Sequence, residues 1–227
     1  MARLARIIVP GMPHHVTQRG NRRQDVFFTP DDRCVYLTYL NKYLTRCGLD
    51  IYAYCLMTNH VHFIAVPTTE LSLSHTMRDT HTAYAGYRNY TDETCGHLWQ
   101  GRFFSSVLDE THLWAAIRYV ERNPIRAGIV ENAADYPWSS AAAHCNGTPD
   151  PILSSNFPPP GAIDDWTGWL STDSDTDIWY IRQQTHTGRP CGSLSFFDQL
   201  ETLLQRDVKP QKRGRKSKLK EDNNEET

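Results

Sequence analysis

The chain has 227 residues, 39% hydrophobic and 11% aromatic, which describes a globular protein able to bury one substantial core. No apolar run approaches the roughly 20 residues that cross a bilayer, so a helical membrane protein is excluded. A net charge of −2 and a pI near 6.5 do not by themselves point to nucleic acid, but the charge is unevenly placed.

The opening segment MARLARIIVPGMPHH is too short in its apolar part for a signal peptide and lacks a small-residue cleavage site, which predicts a cytoplasmic protein. Residues 1–24 carry Arg3, Arg6, Arg19, Arg22 and Arg23 with no acid. Within them HHVTQR (14–19) alternates as a strand does, and GNRRQ turns the chain toward a helix capped by Thr29, with Pro30 at its first position and Gly48 as its stop. IYAYCLM (51–57) and HVHFIAV (60–66), separated by Thr58 and Asn59, read as a β-hairpin that Pro67 ends. A helix over about 71–89 follows, then a polar turn, a strand at 102–108, and a helix from about 110 to 123 that Pro124 interrupts.

Strand, helix, hairpin, helix, strand is the order of an α+β, ferredoxin-like layer, an antiparallel sheet with helices on one side. This predicts a domain over 1–145. Residues 146–208 read as a C-terminal extension whose Pro, Ser and Asp-rich segments carry Trp166 and Trp169 as docking anchors, with a short amphipathic stretch at 194–206. Residues 209–220 hold seven basic groups and no acid, the start of a tail, basic and then acidic, over 209–227. Such a block either binds phosphate through counterion release or keeps the chain soluble. The six cysteines form no C-x-x-C pair, which argues for free thiols and against a zinc module.

His60 and His62 lie two residues apart on a predicted strand, so both imidazoles leave one face while Val61 enters the core from the other. Two nitrogen donors so placed can chelate one divalent ion or can serve packing. Tyr119 and Asn123, four apart on a helix, share a face. An amide oxygen can then complete a His-His-Asn site beside a phenol whose ordinary pKa of about 10 makes it a poor nucleophile unless a metal polarises its target.

The segments MPHHVTQRGN, NHVHFI, LWQGRF (98–103), RYVERNPIRAGIV and DYPWSS, with the late TGRPCGS (187–193), Phe197 and the basic ending, together resemble the IS200/IS605-like single-tyrosine transposases. They are most similar to the branch of REP-associated tyrosine transposases. The resemblance implies an HUH endonuclease fold with Tyr119 as nucleophile and His60, His62 and Asn123 as ligands to Mg²⁺ or Mn²⁺, nitrogen and oxygen donors suiting either ion. Asn123 replaces the glutamine of the simpler insertion-sequence enzymes. The implied reaction is cleavage and rejoining of single-stranded DNA through a 5′-phosphotyrosine, on hairpin-forming repeats, by a monomer or homodimer associated with the nucleoid. His15, Gln18, Arg19, Asn21 and Arg22 then read as DNA contacts on a strand edge and turn. Trp99, Gln100 and Arg102 border the DNA groove or, for Trp99, anchor the core. Arg118 and Arg122 clamp phosphates beside the tyrosine or pair with Glu121. Two other readings stand beside this one: a hairpin-DNA-binding protein with little cleavage activity, and a metal phosphoesterase in which water attacks.

Overall fold

A computed structural model describes residues 6–159, 161–172 and 178–209. The basic tail beyond Lys209 and the first arginine, Arg3, lie outside the described residues. The elements are β1 (His14–Arg19), α1 (Pro30–Cys47), β2 (Leu49–Met57), β3 (His60–Pro67), α2 (Ser72–Thr91), β4 (Phe104–Val107), α3 (Glu110–Glu121), α4 (Asn123–Arg126), α5 (Ala141–Asn146), α6 (Trp166–Ser171), α7 (Ile178–Thr187) and α8 (Leu194–Leu204). The strands form one antiparallel sheet in the order β2-β3-β1-β4, the ferredoxin-like arrangement expected from the element order.

Local chemistry sets the first helix. Thr29 accepts the backbone N–H of Asp32, and the Asp32 carboxylate accepts the N–H groups of Phe28 and Thr29, so orphan donors at the helix start are satisfied reciprocally. Gly48 closes α1 at φ 66°, a left-handed cap that suits a residue without Cβ. The same Asp32 receives Arg88 of α2 at 2.7 Å, tying the two helices together.

The two faces of the sheet serve different ends. Val16, Tyr54, Leu56, Val61, Phe63 and Ala65 point toward α1 and α2 and share a core with Phe27, Tyr36, Tyr84 and Trp99. Fully burying such a side chain is worth about 1.5–3 kcal/mol, so this layer contributes much of the stability. On the opposite face Ala53, Cys55, Met57 and Ile64 pack against Ala116, Ile117 and Val120 of α3 and against Trp166, Leu170 and Ile181 of the extension. One-sided cover therefore holds for the ferredoxin-like unit, whose α1 and α2 share a face, while α3 and the extension cover the second face. Trp166 of the extension is buried in this second-face cluster with Trp169 packed against it, and α8 adds Phe196, Phe197 and Leu200 to a cluster with Ile7, Val9 and Val107.

The helix expected to run unbroken from 110 to 123 ends at Glu121; Arg122 (φ −83°, ψ 0°) separates it from α4. The cause lies at Pro124, which has no N–H to continue the ladder. Tyr119 and Asn123 consequently sit on successive helical segments. All six cysteines are free, and no helix among the described residues is long and apolar enough to cross a membrane.

Candidate active site

His60 and His62 project from β3 toward α3, their rings 4.9 Å apart and nearly perpendicular. Tyr119 of α3 presents its ring edge-on to His62 at 5.4 Å and to His15 of β1 at 5.6 Å. His60 Nδ1 lies 2.6 Å from the amide oxygen of Asn59, whose nitrogen donates to the Arg23 carbonyl. That donation settles the orientation of the amide, so His60 carries its proton on Nδ1 and keeps the Nε2 lone pair. His62 Nδ1 is likewise engaged, 2.9 Å from His15 Nε2. Burial depresses the His60 pKa to about 4, with smaller contributions from Arg19 and Arg182, and pushes His62 well below its ordinary value. Both rings are therefore neutral at neutral pH, the state a metal ligand requires.

Two cations converge on the tyrosine. Arg182 of α7 donates from Nε to the phenol oxygen at 3.1 Å. The Arg126 guanidinium lies 4.5 Å from the ring centroid and donates to the Tyr119 carbonyl at the break between α3 and α4. Asn123 is 7% exposed and its side-chain nitrogen has no partner among the described residues. Because the two ends of a carboxamide are interchangeable in position, turning it over presents its oxygen in that unsatisfied direction. Two neutral imidazoles with Nδ1 engaged elsewhere fit a borderline divalent cation. Among the described residues no group of three or more His, Cys, Asp or Glu is placed to hold a metal ion.

The profile of the family described as "Transposase IS200 like" matches residues 9–123. The chain belongs to the IS200-like transposase family. Its fold is similar to that of a REP-associated tyrosine transposase solved bound to a REP hairpin, with 18% identity and a TM-score of 0.55 over 69% of this chain and 93% of that one. A protein of Deinococcus radiodurans R1 described as a candidate transposase matches at 17% identity and a TM-score of 0.38, over 53% of this chain and 97% of the other. No match is found among curated protein sequences.

In this IS200-like chain the residues expected to contact DNA divide sharply. Arg19 is exposed and pairs across the sheet with His60, which puts it on the tyrosine's side. Arg22 is exposed and Asn21 half-buried on the turn after β1, and Gln100 and Arg102 are exposed beside it. Two of these, Asn21 and Arg102, line a cavity of about 760 Å³ between β1, α2 and the 96–103 loop. Three expectations need correction. His15 is 1% exposed and hydrogen-bonded to His62, so it supports the site and is shielded from DNA. Gln18 is 2% exposed on the opposite face of the sheet, donating to the Gly101 carbonyl. Arg122 is buried and spends its guanidinium on the Leu170 and Thr172 carbonyls, because the extension covers the side of the helix from which it leaves. Arg118 lies over Trp169, 4.5 Å from the ring centroid. Trp99 resolves to the core, stacked on His81 and donating to its carbonyl.

Glu121, offered by the sequence as a partner for Arg118 or Arg122, takes other partners. It is fully buried and accepts from Ser140 (2.5 Å), His144 (2.6 Å) and Trp166 (2.8 Å), so it pins α5 and α6 against the tyrosine helix. Sequence pattern singles out neither Arg126 nor Arg182. Arg126 lies within the segment RYVERNPIRAGIV, seven residues beyond Tyr119 on the far side of Pro124. Nothing local points to Arg182.

Proposed function

We propose that the chain is a metal-dependent single-stranded DNA endonuclease and strand transferase, with Tyr119 as nucleophile and His60, His62 and Asn123 as the residues that hold Mg²⁺ or Mn²⁺. The observation that carries this reading is that His62, with His60 beside it, and the Arg182 guanidinium meet at Tyr119, in a chain of a transposase family. A divalent ion so held supplies Lewis-acid polarisation of the scissile phosphate.

The chain's own residues do the rest. Arg182 donates to the phenol oxygen and so favours charge on it as its proton leaves. Arg19 and Arg126 add positive charge around the histidines, which suits an approaching phosphate. The Tyr119 oxygen bonds to phosphorus as the P–O3′ bond breaks, leaving a 5′-phosphotyrosine and a 3′-hydroxyl. Attack by a 3′-hydroxyl reverses the step, and the diester energy is retained, so rejoining needs no nucleotide cofactor. The likeness to a hairpin-bound relative supports hairpin-forming repeat DNA as the substrate.

The test is a denaturing gel of the protein with a labelled single-stranded hairpin oligonucleotide and Mg²⁺ or Mn²⁺. A protease-sensitive adduct is expected, absent with Tyr119→Phe and with EDTA. Tight binding without an adduct would leave a hairpin-binding protein. Cleavage that survives Tyr119→Phe would mean that water attacks.

A further inference from the structure

His62 Nδ1 is hydrogen-bonded to a ring that is itself held. His15 Nδ1 lies 2.7 Å from the Thr185 hydroxyl of α7, and that hydroxyl lies 2.8 Å from the Ile181 carbonyl. His15, His62 and Thr185 are all at most 5% exposed, so no bulk water intervenes. A carbonyl oxygen can only accept, and this commits the Thr185 proton to Ile181. The hydroxyl oxygen then faces His15 as an acceptor, so His15 must be protonated on Nδ1. Among the described residues neither His15 nor His62 is bonded to a carboxylate, and each carries a single ring proton. His15 Nε2 is therefore a lone pair, and the only donor that can meet it at 2.9 Å is His62 Nδ1–H. The proton order along the row leaves His62 Nε2 unprotonated.

We infer that Thr185 is a positioning residue of the C-terminal extension which, through His15, locks His62 in the tautomer whose Nε2 can bind a metal ion. The inference rests on His62 being a metal ligand, as proposed above, and adds that the ligand is prepared from α7, outside the segment that the family profile matches. Hydrogen-bonded supports of this kind orient ligating histidines and raise their basicity, and their loss typically weakens metal affinity by about 10–100-fold. Removing the hydroxyl oxygen strands the His15 Nδ1–H without an acceptor. The ring then prefers its proton on Nε2, which in turn forces the His62 proton onto its own Nε2 and blocks the ligand atom.

The experiment uses the full chain with ¹⁵N-labelled histidine. Long-range ¹H–¹⁵N spectra of the metal-free protein should show His15 and His62 both protonated at Nδ1. Thr185→Val should move both to Nε2 and weaken Mn²⁺ binding, titrated by electron paramagnetic resonance, by about 10–100-fold; Thr185→Ser should keep the parent tautomers and affinity. His62 protonated at Nε2 in the parent overturns the inference without any variant, which covers the case of a valine variant that does not fold. Parent tautomers and parent affinity in Thr185→Val overturn it as well. A parent that shows the expected tautomers yet binds no Mn²⁺ overturns the metal part of the proposed function and, with it, Thr185's part in preparing a ligand, while the proton order along the row stands. These readouts are separate from the DNA adduct.

Discussion

Arg182→Ala isolates the cation that reaches the phenol. The side chain is exposed, so its loss leaves the core intact, but it removes an Nε–H donor 3.1 Å from the Tyr119 oxygen and a guanidinium 5.3 Å from the ring centroid. A hydrogen bond from a charged donor is worth about 1.5–3 kcal/mol, and solvent screening places this one in the lower part, at about 1.5–2 kcal/mol. At about 1.4 kcal/mol per factor of ten, adduct formation should slow by roughly 10–30-fold. The assay is single-turnover formation of the protein–DNA adduct on a labelled hairpin oligonucleotide at saturating metal, with quenched time points. Arg182→Lys keeps the charge without the fork and should recover part of the rate. Oligonucleotide affinity, measured separately, should fall by less than the rate does, since the contact acts on the nucleophile. An alanine variant that forms adduct within about twofold of the parent rate would refute the reasoning, whatever its affinity.

Glu121→Ala should lower stability by about 3–5 kcal/mol in urea unfolding, because three buried donors lose their acceptor together; a loss under about 1 kcal/mol would show that the buried hub is dispensable. Acid should destabilise the fold before its carboxylates titrate. Burial holds His14 at about 4 and His81 at about 3, so between pH 6.5 and 4 the unfolded chain binds protons that the folded chain refuses. Stability is then full above the unfolded value of 6.5 and falls as pH drops, by up to about 1.4 kcal/mol per pH unit for each such group. Urea midpoints across pH 4–7 check this, and His81→Gln should flatten the slope. Deleting residues 209–227 removes seven basic groups and should weaken DNA binding while making it less salt-dependent. An unchanged affinity and slope would show the tail to be a solubilising segment.

The fold was legible because its signals are local. Thr29, Pro30 and Gly48 bracket α1 as read, and β1 occupies His14–Arg19. The hairpin turns at Thr58 and Asn59. The period-2 argument that placed His60 and His62 on one face and Val61 on the other holds in the sheet, with Val61 in the α1/α2 core. Where the reading failed, a second element had claimed the side chain. Gln18 and His15 look like polar residues of an exposed strand, yet β1 lies between β3 and β4 with both faces covered, so each is buried on its own side. Arg122 looks free on a helical wheel, but the Leu170 and Thr172 carbonyls of the extension take it up.

The candidate site shows the same division more sharply. Its histidines and tyrosine fall within residues 9–123, the segment that carries the family pattern, and their chemistry is visible as spacing along one strand and one helix. The groups that tune them come from elsewhere in the chain: Arg182 meets Tyr119 across 63 residues, and Thr185 meets His15 across 170. No periodicity links residues so far apart, because the contact depends on how α7 packs over β1 and β4. Yet one turn of α7 delivers both groups, a donor to the nucleophile and an acceptor to the row that ends at His62. The spacing that does matter is the three-residue step from Arg182 to Thr185. It sets both side chains on one face of α7 at once, so a shift of α7 by a single residue would remove the cation from the phenol and the acceptor from His15 together.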